Sequence, residues 1–180
     1  MSLEHILLGL LDEPASGYDL GRTFEGSLRH FWAAELAQIY PTLNRMEKKG
    51  RLTSRQAAPD RGPARRLYRR TRAGERALAE WLEAGPEVGT ERLTWLAQVF
   101  FLDEAGDRDS ERAFMTRLRD AMAAKLAALR AIEAQWRSEV PGFPDSLPPR
   151  ERCRWWTLEV GIRRVGATRD WAQSCLDRLA

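Results

Sequence analysis

Cysteine is nearly absent from this chain of 180 residues, with only Cys153 and Cys175 present. Two thiols make no disulfide framework. On one helix their separation of 22 positions would place them roughly 33 Å apart, beyond the reach of a disulfide, so both read as core thiols. Histidine is as scarce: His5 and His30 lie far apart, each reads as a helix-surface residue, and no Cys/His cluster has the spacing of a metal site. No glycine-rich loop follows a strand-like segment, which removes the usual phosphate cradle. Ser16-Gly17-Tyr18 has no base beside it for nucleophilic chemistry. The expectation is therefore a protein that is not an enzyme and holds neither metal nor cofactor. The longest apolar run, Ile6 to Leu11, is far too short to span a membrane. Glu4 stands where an export leader would be basic, so the cytoplasm is the expected location.

What the chain does contain is charge. Hydrophobic residues make up 43% and charged residues 31%, a soluble globular composition with room for one sizeable domain or two small ones. The charge is unevenly spread. Residues 45–76 hold twelve basic and three acidic side chains, a net +9, whereas residues 1–44 hold two basic and six acidic. A basic block between segments of other character is the footprint of a polyanion site. Arginine outnumbers lysine by 26 to 3 throughout, which reads as a bias of composition and not as a site.

The first helix is marked by Leu3, Ile6, Leu7, Leu10 and Leu11, and Pro14 follows it. Ser16 and Asp19 have the spacing of a capping box, opening a second helix from Gly17 to about Leu28 with Leu20, Phe24 and Leu28 inward. Phe31 and Trp32 are expected to close the small core. In the third helix Leu36, Ile39, Leu43 and Met46 form the apolar back. Its front carries Gln38, Thr42, Arg45 and Lys49, with Pro41, Asn44 and Lys48 beside them, and Gly50 supplies the stop. Because proline is tolerated only near a first turn or as a kink, the regular helix is expected to begin nearer Gln38 than Glu35. Residues 51–56 and 65–71 are strand-like around a tip holding Pro59, Gly62 and Pro63; the tip and returning strand carry Arg61, Arg65, Arg66, Arg69 and Arg70. Thr71 caps a fourth helix.

Three helices, a basic hairpin and a helix are the order of a winged helix-turn-helix. Amides and arginine read base edges in a major groove, which assigns Gln38, Thr42 and Arg45 to reading. Lys48, Lys49, Arg65 and Arg66 fall where phosphates pass. The plainer reading of the third helix alone is an amphipathic helix with a solvated face; the basic hairpin beside it tips the balance toward double-stranded DNA. A winged-helix module that binds proteins and no DNA is the alternative, with little reason to keep the +9.

The runs Ile6-Leu7-Leu8-Gly9-Leu10-Leu11, Gly17-Tyr18-Asp19-Leu20, Gln38-Ile39-Tyr40-Pro41-Thr42-Leu43, Arg66-Leu67-Tyr68 and Thr71-Arg72-Ala73-Gly74 resemble the PadR family of bacterial transcriptional regulators. The resemblance spans residues 3–83. It implies a winged-helix domain acting on DNA as a homodimer, most often as a repressor, and brings Tyr18, Tyr40, Pro41 and Tyr68 into the same surface. Ser16 replaces a frequent histidine. Arg70 replaces an apolar residue, where an arginine stem can still cover apolar surface. Phe100-Phe101-Leu102 and Gly161-Ile162-Arg163 with Trp171 resemble the helical C-terminal domain of the longer members. The expected fold is thus mainly α with a small β-hairpin wing, a DNA-binding domain over residues 1–84 and a helical dimerisation domain over 90–180.

Beyond the linker Gly85 to Gly89, Leu93, Leu96, Val99 and Phe100 mark a short helix. A long one follows through Met115, Leu118, Met122, Leu126, Leu129, Ile132 and Trp136. In the last helix Trp155, Leu158, Ile162, Val165, Arg169, Ala172, Leu176 and Leu179 form a heptad seam. Its apolar members Trp155, Leu158, Ile162, Val165, Ala172, Leu176 and Leu179 are expected to hold two copies together; packing within one chain is the plainer alternative. The seven tryptophans read first as packing. With the family resemblance they also fit a flat-sided pocket for a small aromatic effector.

Overall fold

The computed structural model describes residues 2–32, 34–57, 65–89 and 91–180, and divides into two compact units, Met1–Gly89 and Thr90–Ala180. The first holds helices α1 (Ser2–Leu10), α2 (Gly17–Thr23), α3 (Leu36–Lys48) and α4 (Arg72–Glu83), and strands β1 (Ala15–Ser16), β2 (Leu52–Ala57) and β3 (Arg65–Arg70). The expected architecture, mainly α with a small β wing, is the one found. The capping box at α2 is formed: Ser16 Oγ accepts from the Asp19 N–H and Asp19 accepts from the Ser16 N–H. The bond that Ser16 Oγ donates to Asp19, with the backbone one added, outweighs burial and holds the Asp19 carboxyl below its ordinary range.

Several boundaries depart from expectation. The second helix is not regular to Leu28; after Thr23 it widens into one π turn, Phe24–Leu28, which keeps Phe24 buried. Trp32 packs on the core but Phe31 stands out from it. The residues before the second helix are more than a connection, because Ala15 and Ser16 pair with Tyr68 and Leu67 and make the sheet three-stranded, in the order β1-β3-β2. α3 begins at Leu36, so Pro41 is its sixth residue. That position removes the N–H the Ala37 carbonyl would have accepted, and Ala37 is exposed, so solvent can answer that carbonyl. Residues 58–64, including Arg61 at the hairpin tip, lie outside the described residues.

Leu7, Leu8, Leu11, Leu20, Phe24, Ile39, Leu43, Met46, Leu52 and Tyr68 make one core. Arg70 is accommodated at its edge. Its Nη1 donates to the Leu8 carbonyl at 3.1 Å and its backbone N–H to the Leu11 carbonyl at 3.1 Å. A cation there satisfies the open carbonyl end of α1 and opposes its dipole. Thr71 caps α4 as expected, accepting from the Gly74 N–H at 3.2 Å. Gly74 itself is obligatory: a Cβ would stand 2.3 Å from the Arg51 carbonyl oxygen and 2.9 Å from Leu8 Cδ2. Gly74→Ala should therefore lower stability by about 1–3 kcal/mol, the usual range for overpacking. Thermal melting checks this, and an unchanged melting temperature would contradict so close an approach.

The second unit holds α5 (Thr94–Phe100), a 3-10 turn (Leu102–Ala105), α6 (Arg108–Glu139) and α7 (Pro149–Leu179). Asp107 caps α6, accepting from the Ser110 N–H at 2.6 Å, and Pro149 opens α7 at a position that has no N–H to lose. α6 and α7 run antiparallel: Arg119 near the start of α6 donates to Gln173 near the end of α7. Phe143 in the connection stacks edge-on against Trp136 and Trp155. Both cysteines lie on α7, but Cys153 is exposed, so it is not a core thiol. Among the described residues no helix is long and apolar enough to cross a membrane.

Candidate nucleic-acid interface

α3 presents Ala37, Gln38, Tyr40, Pro41, Asn44, Arg45, Lys48 and Lys49 outward and buries Ile39, Thr42, Leu43 and Met46. At about 100° per residue, the middle of the outward face runs through Pro41, Asn44 and Lys48. The face read from the sequence is therefore rotated by close to one residue. Thr42 is the clearest correction. It is 4% exposed, and its Oγ1 accepts from Arg45 Nη2 at 3.4 Å, so it faces inward. Asn44 takes a central place instead. Its signal was a polar residue one turn from Pro41 and Lys48, outweighed by a front drawn through Thr42.

Gln38 sits at the edge of the face, and its Oε1 accepts from the Glu35 N–H at 3.3 Å, closing the start of the helix. Tyr40 is at the other edge and lies against Gly17, where a Cβ would come within 2.4 Å of its ring. Tyr18, on α2, is exposed. Tyr68 does not belong to the surface: it is 2% exposed and part of the core, and burial pushes its hydroxyl up. Strand alternation explains this. In β3 the side chains of Arg66, Tyr68 and Arg70 share one face, turned to the helices, and those of Arg65, Leu67 and Arg69 share the other. Arg66 is accordingly tied back to α3. Its Nη2 lies 2.5 Å from Glu47 Oε2 and its Nε donates to Ser54 Oγ at 2.8 Å, while Ser54 Oγ donates to Glu47. It braces the hairpin against α3, whereas Arg65 is exposed on the other face of the strand.

A second braced cluster was not read from the sequence. Glu4 on α1 is buried, with Oε1 2.9 Å from Arg45 Nε and 3.4 Å from Lys49 Nζ, and Oε2 2.9 Å from Arg51 Nη1. Burial pushes its carboxyl up, but the bonds and charges of Arg45 and Lys49 together outweigh it and hold it below the usual range. A depressed carboxyl stabilises the fold above its ordinary value and loses that contribution as pH falls through the lowered one. Only its position three residues before Leu7, on a helix where most other residues are apolar, hinted that Glu4 needed partners.

In the second unit the expected dimer seam is spent inside one chain. Trp155, Leu158 and Val165 pack with Leu126, Leu129 and Leu147, and Ala172 and Leu176 with Met115 and Leu118; Ile162 and Leu179 lie partly buried at the same two clusters. The reason is that α6 carries a stripe of matching length, so each helix covers the other. The opposite side of α7 exposes Trp156, Val160, Ala167 and Trp171, at spacings of four, seven and four, with the exposed Arg163 and Arg164 on the turn between Val160 and Ala167. Trp95 of α5 meets Trp171 at 5.9 Å between ring centroids. With Leu96, Ala167 and Thr168 these indoles line an apolar recess of about 240 Å³.

A three-helix core with a braced basic hairpin, followed by a helical hairpin unit, defines a winged-helix protein with an appended helical domain. Residues 6–80 match the transcriptional regulator PadR-like family and residues 91–180 the virulence activator alpha C-terminal family. The chain belongs to the PadR-like family of transcriptional regulators, and is not an enzyme. It is 28% identical to a probable transcriptional regulator of Mycobacterium tuberculosis, over 99% of this chain and 98% of that one. A second regulator of that organism is 39% identical over 89 residues, 49% of this chain and 79% of the relative. The negative transcriptional regulator PadR of Bacillus subtilis is 28% identical over 71% of each chain. Its structure in complex with operator DNA superposes with a TM-score of 0.84 over the full length of both chains at 24% identity. The same protein has also been solved with p-coumaric acid, at a TM-score of 0.76 over 98% of this chain and 94% of that one and 24% identity.

Proposed function

We propose that this protein binds an inverted-repeat operator as a homodimer in the cytoplasm and represses transcription there. The observation that carries the reading is the outward face of α3, with Pro41, Asn44, Arg45 and Lys48 side by side beside a hairpin rich in arginine. An amide and a guanidinium suit base edges, and lysines suit phosphates. Lys48, Lys49 and Arg65 take the backbone role, and Tyr18, Gln38 and Tyr40 flank the groove. The second copy docks on the exposed stripe Trp156, Val160, Ala167 and Trp171 of α7, because four apolar residues at helical spacing are what a partner helix covers. A small planar aromatic effector belongs to the same reading. The recess between Trp95 and Trp171 is apolar and walled by two indoles, and the Bacillus subtilis relative has been solved with such an acid.

A two-fold dimer presents two copies of α3 to one side of the duplex. Footprinting on DNA upstream of its own gene should then show two related half-sites in inverted order, their centres about one helical turn apart or a multiple of it. Protection of a single unrepeated half-site would contradict the dimeric reading. Absence of any protected site, with binding indifferent to salt, would contradict the DNA-binding one.

A further inference from the structure

We infer that Glu4, a residue of the first helix that lies behind the outward face of α3, is the positioning residue that fixes Arg45 for reading a base. The inference rests on the proposed DNA-binding reading. A free arginine on a helix surface samples many rotamers, and ordering it on DNA costs affinity for the matched site. Here the ordering is done in advance. Glu4 Oε1 accepts from Arg45 Nε at 2.9 Å and Thr42 Oγ1 from Nη2 at 3.4 Å. These bonds take the inner edge of the guanidinium, and its outer Nη1 has no hydrogen bond among those described. A guanine offers two acceptors, O6 and N7, to the terminal nitrogens of an arginine, so a guanidinium held by its Nε still presents the edge that reads. The carboxylate is itself over-determined. It is buried, and Arg51 on its other oxygen at 2.9 Å and Lys49 at 3.4 Å keep it in place.

The same geometry has a second consequence. One buried negative charge sits among three cations that would otherwise all attract phosphates. Glu4 therefore lowers attraction to any DNA while sharpening attraction to the matched sequence, and these two effects have opposite signs. A residue needed only for folding would move both affinities together.

The test uses the full chain, an operator selected from a random DNA pool, and random-sequence DNA at several salt concentrations. Glu4→Gln should lower the ratio of operator to random affinity about tenfold, within the range of one bidentate contact. Affinity for random DNA should rise, with a salt slope steeper by up to about one unit per protomer. Arg45→Ala should lower the ratio likewise, and adding Glu4→Gln to it should lower the ratio no further. A ratio unchanged by Glu4→Gln, a loss of both affinities together, or a further fall in the double variant overturns the inference. Should Glu4→Gln fail to melt cooperatively, Arg45→Lys decides. It keeps the charge and loses the fork, so its ratio must fall, and a retained ratio overturns the inference. A wild-type chain that binds operator and random DNA equally would instead overturn the DNA-binding reading itself.

Discussion

Val165→Asp should unfold the C-terminal unit, whereas Val160→Asp, five positions earlier on the same helix, should leave it folded and monomeric. Five residues turn a helix by about 140°, so the two valines face different surroundings. Val165 is 8% exposed and belongs to the buried cluster that holds Leu126 and Leu129 of α6. An unpaired carboxylate there costs several kcal/mol, on the order of the 3–5 kcal/mol seen when one charge is left alone in a core. That is a large part of the ~5–15 kcal/mol that holds a typical domain together. Val160 is 49% exposed; an aspartate there is solvated in the single chain and becomes costly only when a second copy covers it. Sedimentation should therefore show a folded monomer for Val160→Asp, and its operator affinity should fall by about 10²–10⁴, since each half-site is then held without the other. A Val160→Asp protein that stays dimeric removes the outer stripe of α7 as the interface. A Val165→Asp protein that melts like the wild type removes the inner seam as the core.

The contrast between those two valines shows what the sequence could and could not carry. The seam from Trp155 to Leu179 was legible as a buried face, because spacings of three and four leave no other geometry. What covers it was not legible, since a heptad pattern is satisfied equally by a neighbouring helix of the same chain or by a second copy. The matching stripe on α6 decided the matter, and its fit appears only when the two helices are laid side by side. Around the outward face of α3 the same limit recurs. Ser16, Gly50 and Thr71 announced their turns and caps through local chemistry, and all three took those roles. The phase of α3 did not follow so directly, because Thr42 is small and polar and fits a buried or an exposed slot with little penalty. Tyr68 was misplaced for a different reason: the resemblance put it on the DNA side together with the α3 residues, although every second residue of β3 turns inward and Tyr68 is one of them. Arg45 lies 41 positions from Glu4, and Glu47 lies 19 from Arg66, and no local pattern announces a pairing at that range.

Asn44→Ala should cost more sequence discrimination than any other single change on α3. Its side chain lies between Pro41 and Lys48 in the middle of the outward face, the part of a recognition helix that reaches deepest into the groove. An asparagine amide pairs with the N6 and N7 edge of adenine, and one such pair is worth about 1–3 kcal/mol against a wrong base. A homodimer makes the contact twice, so one substitution removes about 2–6 kcal/mol of operator binding. Affinity for random DNA should stay where it is, because the amide carries no charge to release counterions. Lys48→Ala is the control one turn further along: it should weaken operator and random DNA alike and reduce the salt slope by about one unit per protomer. Binding measured on both DNAs at several salt concentrations separates the two. If Asn44→Ala left the preference for the operator intact while Lys48→Ala abolished it, the face of α3 that enters the groove would not be the one centred on Pro41, Asn44 and Lys48.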